Sequence, residues 1–239
     1  DEGSLLRSLV FLLAWDVVFN DSVPGVFLSP YQDGPLDLDS SPQFYERRRD
    51  GIRALVGRIA AASRAELVAW VGSSFAANEG KSNRGAGWGS RGGWPLPLLQ
   101  LAAVCVGGRS LAVVVDALLF DHKQRSGGLP DLFLWRVVAP SRGTAPDAAV
   151  AGPGATPSPG PDAASPGWLR LVRGAQYECR WCEVKGPRDR LADKQRDWLR
   201  VLLAAGCRTD LCRVQEPASS ARGKRARLQD EAAAHSARL

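Results

Sequence analysis

YECRWCEVKGPRDRLADKQRDWLRVLLAAGCRTDLCRV, residues 177 to 214, is the stretch that decides the fold. Its first nine residues read as a strand that stops at Gly186-Pro187, because proline cannot continue a hydrogen-bonded ladder. LADKQRDWLRVLLAAG, residues 191 to 206, carries apolar side chains at helical spacing and is closed by Gly206. DLCRV, residues 210 to 214, reads as a second strand. Strand, helix and strand in that order predict an α/β unit with a right-handed crossover. Alternate side chains of an extended segment share a face, so Glu183 and Lys185 are expected side by side, with Val184 on the other face.

Working outward, DLFLW, residues 131 to 135, reads as a further strand of the same, largely buried sheet. It follows Gly127-Gly128-Leu129-Pro130, a turn whose glycines let the backbone bend close to a neighbour. Laid beside the EVK strand, it brings Asp131 near Glu183, and two close carboxylates repel unless a cation lies between them. Magnesium or manganese suits such oxygen ligands, with the Val184 carbonyl a candidate to complete the shell. The Lys185 ammonium has two candidate jobs: orienting or deprotonating the attacking water, or neutralising charge on the phosphorus centre. On its own, E-x-K is too short a motif to decide against a strand-end salt bridge. Gln195 shares the helix face that must cover the sheet with Trp198 and Leu202, and either a backbone-satisfied amide or an active-site role accounts for it.

Upstream, the chain changes texture. LLRSLVFLLAWDVVF, residues 5 to 19, carries Arg7 and Asp16 and falls short of the roughly 20 apolar residues a membrane span needs. It is predicted to be a buried helix from Glu2 to about Asn20, with Arg7 and Asp16 on other faces. Ser41-Pro42 should open a second helix running to about Ala62, and Ser63-x-x-Glu66 has the capping-box pattern that starts a third, to about Ala77. Residues 80 to 95 are Gly-rich and read as a mobile connection, with Trp88 and Trp94 either stacking on bases or pinning the loop. Two more helices, Leu96 to Val106 and Arg109 to Asp121, are expected on either side of Gly107-Gly108. The three arginines in Glu46 to Arg49 are read as a solvated face or as phosphate contacts.

With 239 residues and 45% apolar content the chain can bury a substantial core, and its formal charge of +6 favours polyanionic partners without requiring one. Five cysteines form no regular framework and are expected to be free thiols in a reducing compartment. Cys179, Cys182, Cys207 and Cys212 also admit a four-thiolate zinc reading, although Cys179 and Cys182 fall on opposite faces of a strand. The sequence contains no methionine, so it is expected to be part of a longer chain.

GGLPDLFLW followed by EVKGPRDRLADKQRDWL resembles the VRR-NUC branch of the PD-(D/E)XK nucleases, and specifically the Fanconi-associated nuclease family of DNA-repair enzymes. EGSLLRSLVFLLAWDVVFNDSVPGVF looks like that family's helix with a metal-facing glutamate, and GCRTDLCRV like its closing strand. The resemblance implies an α/β restriction-endonuclease-like core, with Glu2, Asp131 and Glu183 holding a divalent ion such as Mg2+ or Mn2+ and Lys185 as the catalytic lysine. It implies a metal-dependent DNA nuclease cutting at or near a 5′ end at flaps, working in interstrand-crosslink repair in the nucleus with other repair proteins. A fold-retaining DNA-binding module without activity is the alternative. This chain departs from the family pattern in the long insert at 139 to 167, in Trp181 and Cys182 where smaller aliphatics are usual, and in the placement of Glu2 at its start.

The expected organisation is a helical part over residues 1 to 126, a nuclease core over 127 to 216 interrupted by a disordered insert at 139 to 167, and a basic disordered tail from 217 to 239. Lys224, Arg225 and Arg227 in that tail suit a nuclear-import patch or salt-dependent affinity for DNA.

Overall fold

The computed structural model describes residues 3–81, 83–84, 86–89, 93–138 and 175–215. The expected insert and the tail with Lys224, Arg225 and Arg227 lie outside these residues, as does Glu2.

The helix expected from Glu2 to Asn20 is two segments, α1 (Ser4–Leu13) and α2 (Trp15–Val18). Helix α1 is buried from Leu6 to Leu13, because it runs between the other helices and not across their surface. That location buries Arg7 as well, against the expectation of a separate polar face. Its Nη1 donates to the Ser126 carbonyl at 2.7 Å, and loss of water pulls the guanidinium pKa down from its ordinary value.

The next helix also divides, into α3 (Gln43–Arg47) and α4 (Arg49–Ala61), at Arg48. The break turns Arg48 inward, where its guanidinium makes two hydrogen bonds to buried Asp37, at 2.9 and 3.1 Å. Arg47 also reaches Asp37, and Arg49 pairs with Glu46, so this basic run is taken up by intramolecular ion pairs. Pro42, not Ser41, caps α3, and the Ser41 hydroxyl donates to the Phe120 carbonyl instead. Helix α5 (Arg64–Ala77) begins with the predicted reciprocal cap, Glu66 N to Ser63 Oγ and Ser63 N to Glu66 Oε2.

Helices α6 (Leu96–Val106) and α7 (Gly108–Phe120) meet at 107°. Gly107 has a φ of +77°, and a Cβ on Gly108 would stand 2.4 Å from the Ile59 carbonyl oxygen, so both glycines are needed for the bend. Among the described residues no single helix is long and apolar enough to cross a membrane. Between α5 and α6, the Trp88 indole is buried and donates to the Asn78 carbonyl, while Trp94 donates to Ser4 Oγ. Both indoles pin the loop.

A four-residue helix, α8 (His122–Arg125), precedes the sheet of β1 (Leu132–Val138), β2 (Gln176–Lys185) and β3 (Arg208–Arg213). Strand β1 pairs antiparallel with β2, from Leu132 opposite Cys182 to Val138 opposite Gln176. Strands β2 and β3 run parallel, joined through α9 (Asp193–Ala204) as the sequence predicts. One face packs on α5 and α6, where Phe133, Tyr177 and Cys179 meet Val68, Leu101 and Val104. The sheet is not largely buried: the described helices cover one face only, so Leu132 and Leu134 are exposed on the other. Charged residues occupy that open face in cross-strand pairs, Arg136 with Glu178 at 2.7 Å and Arg180 with Asp210 at 2.9 Å.

Candidate active site

Asp131 sits just before β1, on a turn held from two sides. Trp198 of α9 donates its indole N–H to the carbonyls of Arg125 and Gly127, at 2.9 and 3.1 Å. Gly128 has a φ of +84° and lies so close to α9 that a Cβ would be 2.8 Å from the Lys194 carbonyl carbon. Leu129 is buried against Gly3, where a Cβ would come within 2.4 Å of it, so the start of α1 is packed onto the same turn. Neither Trp198 nor Arg7 stands out in the sequence as part of the site. The available signals are an indole on the sheet-facing side of α9 and a lone arginine within an apolar helix.

Held in this way, the Asp131 Oδ2 accepts a hydrogen bond from the Val184 N–H at 2.7 Å. The β1–β2 ladder ends at Leu132 and Cys182, so the edge of β2 at Val184 faces Asp131 where another strand would otherwise lie. A strand residue points its N–H and its C=O to the same edge, so the Val184 carbonyl belongs to this open edge too. The neighbouring residue uses the opposite edge, the Lys185 carbonyl accepting from Val214 N at 2.8 Å.

Glu183 and Lys185 share the inward face of β2, as the alternation predicts. The Glu183 side chain is fully buried, and its Oε1 meets Lys185 Nζ at 2.7 Å. Oε2 has no partner among the described residues, and Oε1 has none beyond that ammonium. A buried carboxylate oxygen without a donor is costly. The hydrogen bond to Glu183 raises the Lys185 pKa above its ordinary value; loss of water works against it, and the charges of Glu183, Asp131 and Asp189 add to it. Asp189 is fixed by the Gly186–Asp189 turn, accepting from Gly186 N at 2.9 Å.

Gln195 stands in the first turn of α9. Its Oε1 accepts from Ala192 N at 3.0 Å, closing the first turn of α9, which is the backbone-satisfied alternative. The zinc reading fails on geometry. Cys179 faces inward near Cys207 and Cys105, whereas Cys182 is on the other face near Cys212. Burial pushes the Cys179 thiol up to about 12 and the Cys105 thiol up to about 11. All five cysteines are free, and among the described residues no group of three or more His, Cys, Asp or Glu side chains is placed to hold a metal ion. The third carboxylate of the predicted ligand set, Glu2, is not among them.

A mixed sheet whose strand ends bring together an aspartate, a glutamate and a lysine, with a helical crossover on one side, defines the restriction-endonuclease-like α/β class. The family model of the VRR-NUC domain matches residues 77–216. The chain belongs to the VRR-NUC family.

Among curated proteins it is 34% identical over 224 residues to Fanconi-associated nuclease 1 of Danio rerio, covering 94% of this chain and 18% of that protein. It is 33% identical over 213 residues to the Fanconi-associated nuclease 1 homolog of Oryza sativa subsp. japonica, covering 89% of this chain and 18% of the relative. The chain thus spans under a fifth of the length of these two relatives. The crystal structure of paFAN1 bound to 2nt 5′ flap DNA with gap superposes with a TM-score of 0.62 at 23% identity, over 90% of this chain and 31% of that one. The likeness in that case is one of fold.

Proposed function

We propose that this chain is the catalytic core of a metal-dependent, structure-specific DNA nuclease that hydrolyses phosphodiesters at or near 5′ flaps. The observation that carries the reading is the convergence of Asp131, the open Val184 edge, Glu183 and Lys185 at one end of the sheet. The donor set fits a hard divalent cation: the buried Glu183 Oε2, without a partner among the described residues, belongs to the residue before Val184, whose N–H holds the Asp131 carboxylate, so the candidate donors are all oxygen. Asp131, Glu183 and Val184 would hold Mg2+ or Mn2+, and Glu2 is proposed as a further ligand on the family resemblance. Such an ion supplies Lewis-acid stabilisation of charge on the phosphate oxygens and makes water more acidic.

The protein's own groups do the rest. Asp131 is fixed by a backbone donor, so its position costs no reorganisation during the reaction. Lys185, whose pKa is raised by Glu183, remains an ammonium at neutral pH. An ammonium does not deprotonate water, which leaves it to orient the water by donating to it or to act as a point charge set against the negative charge that develops on the phosphoryl oxygens. Gln195 serves this site through the first turn of α9, which packs on Gly128.

The finer reading is a 5′ flap endonuclease and 5′ to 3′ exonuclease of phosphodiesterase I type, acting in nuclear DNA repair, including interstrand-crosslink repair, alongside other repair proteins. Its support is the relatives' name and the flap DNA bound to paFAN1. The test is a cleavage assay of the 239-residue chain on labelled 5′ flap, 3′ flap and blunt duplex DNA, with Mg2+, Mn2+ or chelator. Cutting of the 5′ flap only with a divalent ion supports the proposal. Flap binding without cutting under any cation would make the chain an inactive module of the same fold.

A further inference from the structure

The inward face of the sheet continues past Glu183 as a row of aromatic rings. Trp181 stands two residues before Glu183 on the same face. Phe133 is opposite Trp181 in the β1–β2 register, with ring centroids 4.6 Å apart. Trp135, two residues further along β1, prolongs the row. Together with Trp94 and Leu98 these side chains enclose a cavity of about 260 Å3 whose rim includes Asp131.

Three properties restrict what fills it. Among the described residues the walls are mainly aromatic and aliphatic side chains, and Ser4 accepts from the Trp94 indole at 2.9 Å. The lining includes Asp131, proposed above to meet a phosphodiester through a divalent ion, so the charged part of a ligand stays at Asp131 and the part that enters among the rings is uncharged. The mouth is open: Trp135 is 50% exposed and Leu98 37%. A flat, neutral ring tethered to a phosphate satisfies all three conditions.

We propose that this cavity is a stacking subsite for an unpaired nucleobase, with Trp135 as the principal contact, on the strand whose phosphodiester lies at Asp131, Glu183 and Lys185. The inference rests on the nuclease reading above and names the ligand that the site's neighbour takes. Aromatic walls accept any base by its π-face, so stacking there does not depend on sequence. It depends on structure. A base already unpaired enters without the cost of leaving a stack, whereas a paired base in duplex DNA must first be extruded. The pocket therefore favours DNA with a single-stranded nucleotide next to the cut.

The experiment uses the 239-residue chain and 5′ flap DNA carrying 2-aminopurine, in turn, at each nucleotide around the junction, with Ca2+ for binding and Mn2+ for cleavage. At one unpaired position the wild-type protein should quench the probe, Trp135→Ala should not, and Trp135→Phe should recover most of the quench. Leu98→Trp, which fills the mouth while leaving Trp135 in place, should also lose it and guards against misfolding of the alanine variant. An abasic site at that position should slow wild-type cleavage roughly five- to a hundredfold. Trp135→Ala should slow cleavage of intact DNA by the same factor, and the two changes together should slow it no further.

Losses that multiply, or a probe that stays equally bright with wild type and Trp135→Ala at every position, would overturn the subsite. The latter is also the result expected if another part of the chain covers the pocket. Absence of all cleavage would count against the nuclease reading, and the 2-aminopurine titration then decides the subsite alone.

Discussion

The carboxylate of Asp131 and the backbone amide of Val184 are joined by a 2.7 Å hydrogen bond across the point where the β1–β2 ladder has ended. One residue to either side of Val184 stand Glu183 and Lys185, so this single bond sets the distance between the aspartate and the charged pair. It uses Asp131 as an acceptor, which its charge strengthens but does not require.

Asp131→Asn separates these two properties. The amide oxygen can still accept from Val184 N–H, so the unfolding free energy should stay within about 0.5 kcal/mol of wild type. The charge is gone, so metal-supported cleavage should fall by on the order of a hundredfold or more, with flap binding retained. Denaturant unfolding, gel shift and cleavage on one preparation check all three. Unchanged turnover would remove Asp131 from the chemistry.

The Glu183–Lys185 pair makes a prediction about stability. Lys185→Met leaves a fully buried carboxylate without its counter-charge, which costs about 3–5 kcal/mol. In chelator the variant should lose that amount. Millimolar Mn2+ should return part of it, because an ion bound only by the folded state stabilises that state by mass action. Adding Glu183→Gln to Lys185→Met should recover stability in chelator and abolish the Mn2+ effect. Equal stability of wild type and Lys185→Met without metal would show that the pair is solvated in solution.

Strand-helix-strand and the shared face of Glu183 and Lys185 were legible because both follow from local periodicity. The proximity of Asp131 followed from laying two strands side by side. What periodicity does not encode is which face of a sheet the rest of the chain covers. Leu132 and Leu134 look like core residues, yet no described helix covers their side of the sheet. Arg7 looks like a surface residue in an amphipathic helix, yet α1 is surrounded, and the arginine donates to a carbonyl of a turn 119 residues away. For Gln195, spacing gave the right face but could not choose between a cap and a catalytic role, a choice that depends on whether Ala192 N is within reach.

Gly128 tests whether the turn before Asp131 needs its close contact with α9. Alanine there must adopt a φ of +84° and set its Cβ 2.8 Å from the Lys194 backbone. The left-handed conformation alone costs about 1–2 kcal/mol, and the backbone contact adds to it. Gly128→Ala should therefore lose at least about 2 kcal/mol and cut DNA more slowly, through displacement of Asp131. Gly127→Ala is the control, since a Cβ there meets nothing within 4 Å. Thermal melts and cleavage rates of both variants are the measurement, and equal behaviour would mean the turn is free to shift.

Gln195 separates positioning from chemistry most directly. Its side-chain oxygen accepts from Ala192 N and leaves the reacting groups to other residues, so its removal should act on the helix. Gln195→Ala should cost about 1 kcal/mol of stability, the typical value of a lost cap. Cleavage under saturating metal should fall by less than about threefold, under ~0.7 kcal/mol of barrier. Gln195→Glu keeps an oxygen in the same place and should restore the melting temperature, with a further gain from a negative charge at a helix N-terminus. A hundredfold loss of cleavage in Gln195→Ala at wild-type stability, unrepaired by glutamate, would return the residue to the catalytic set.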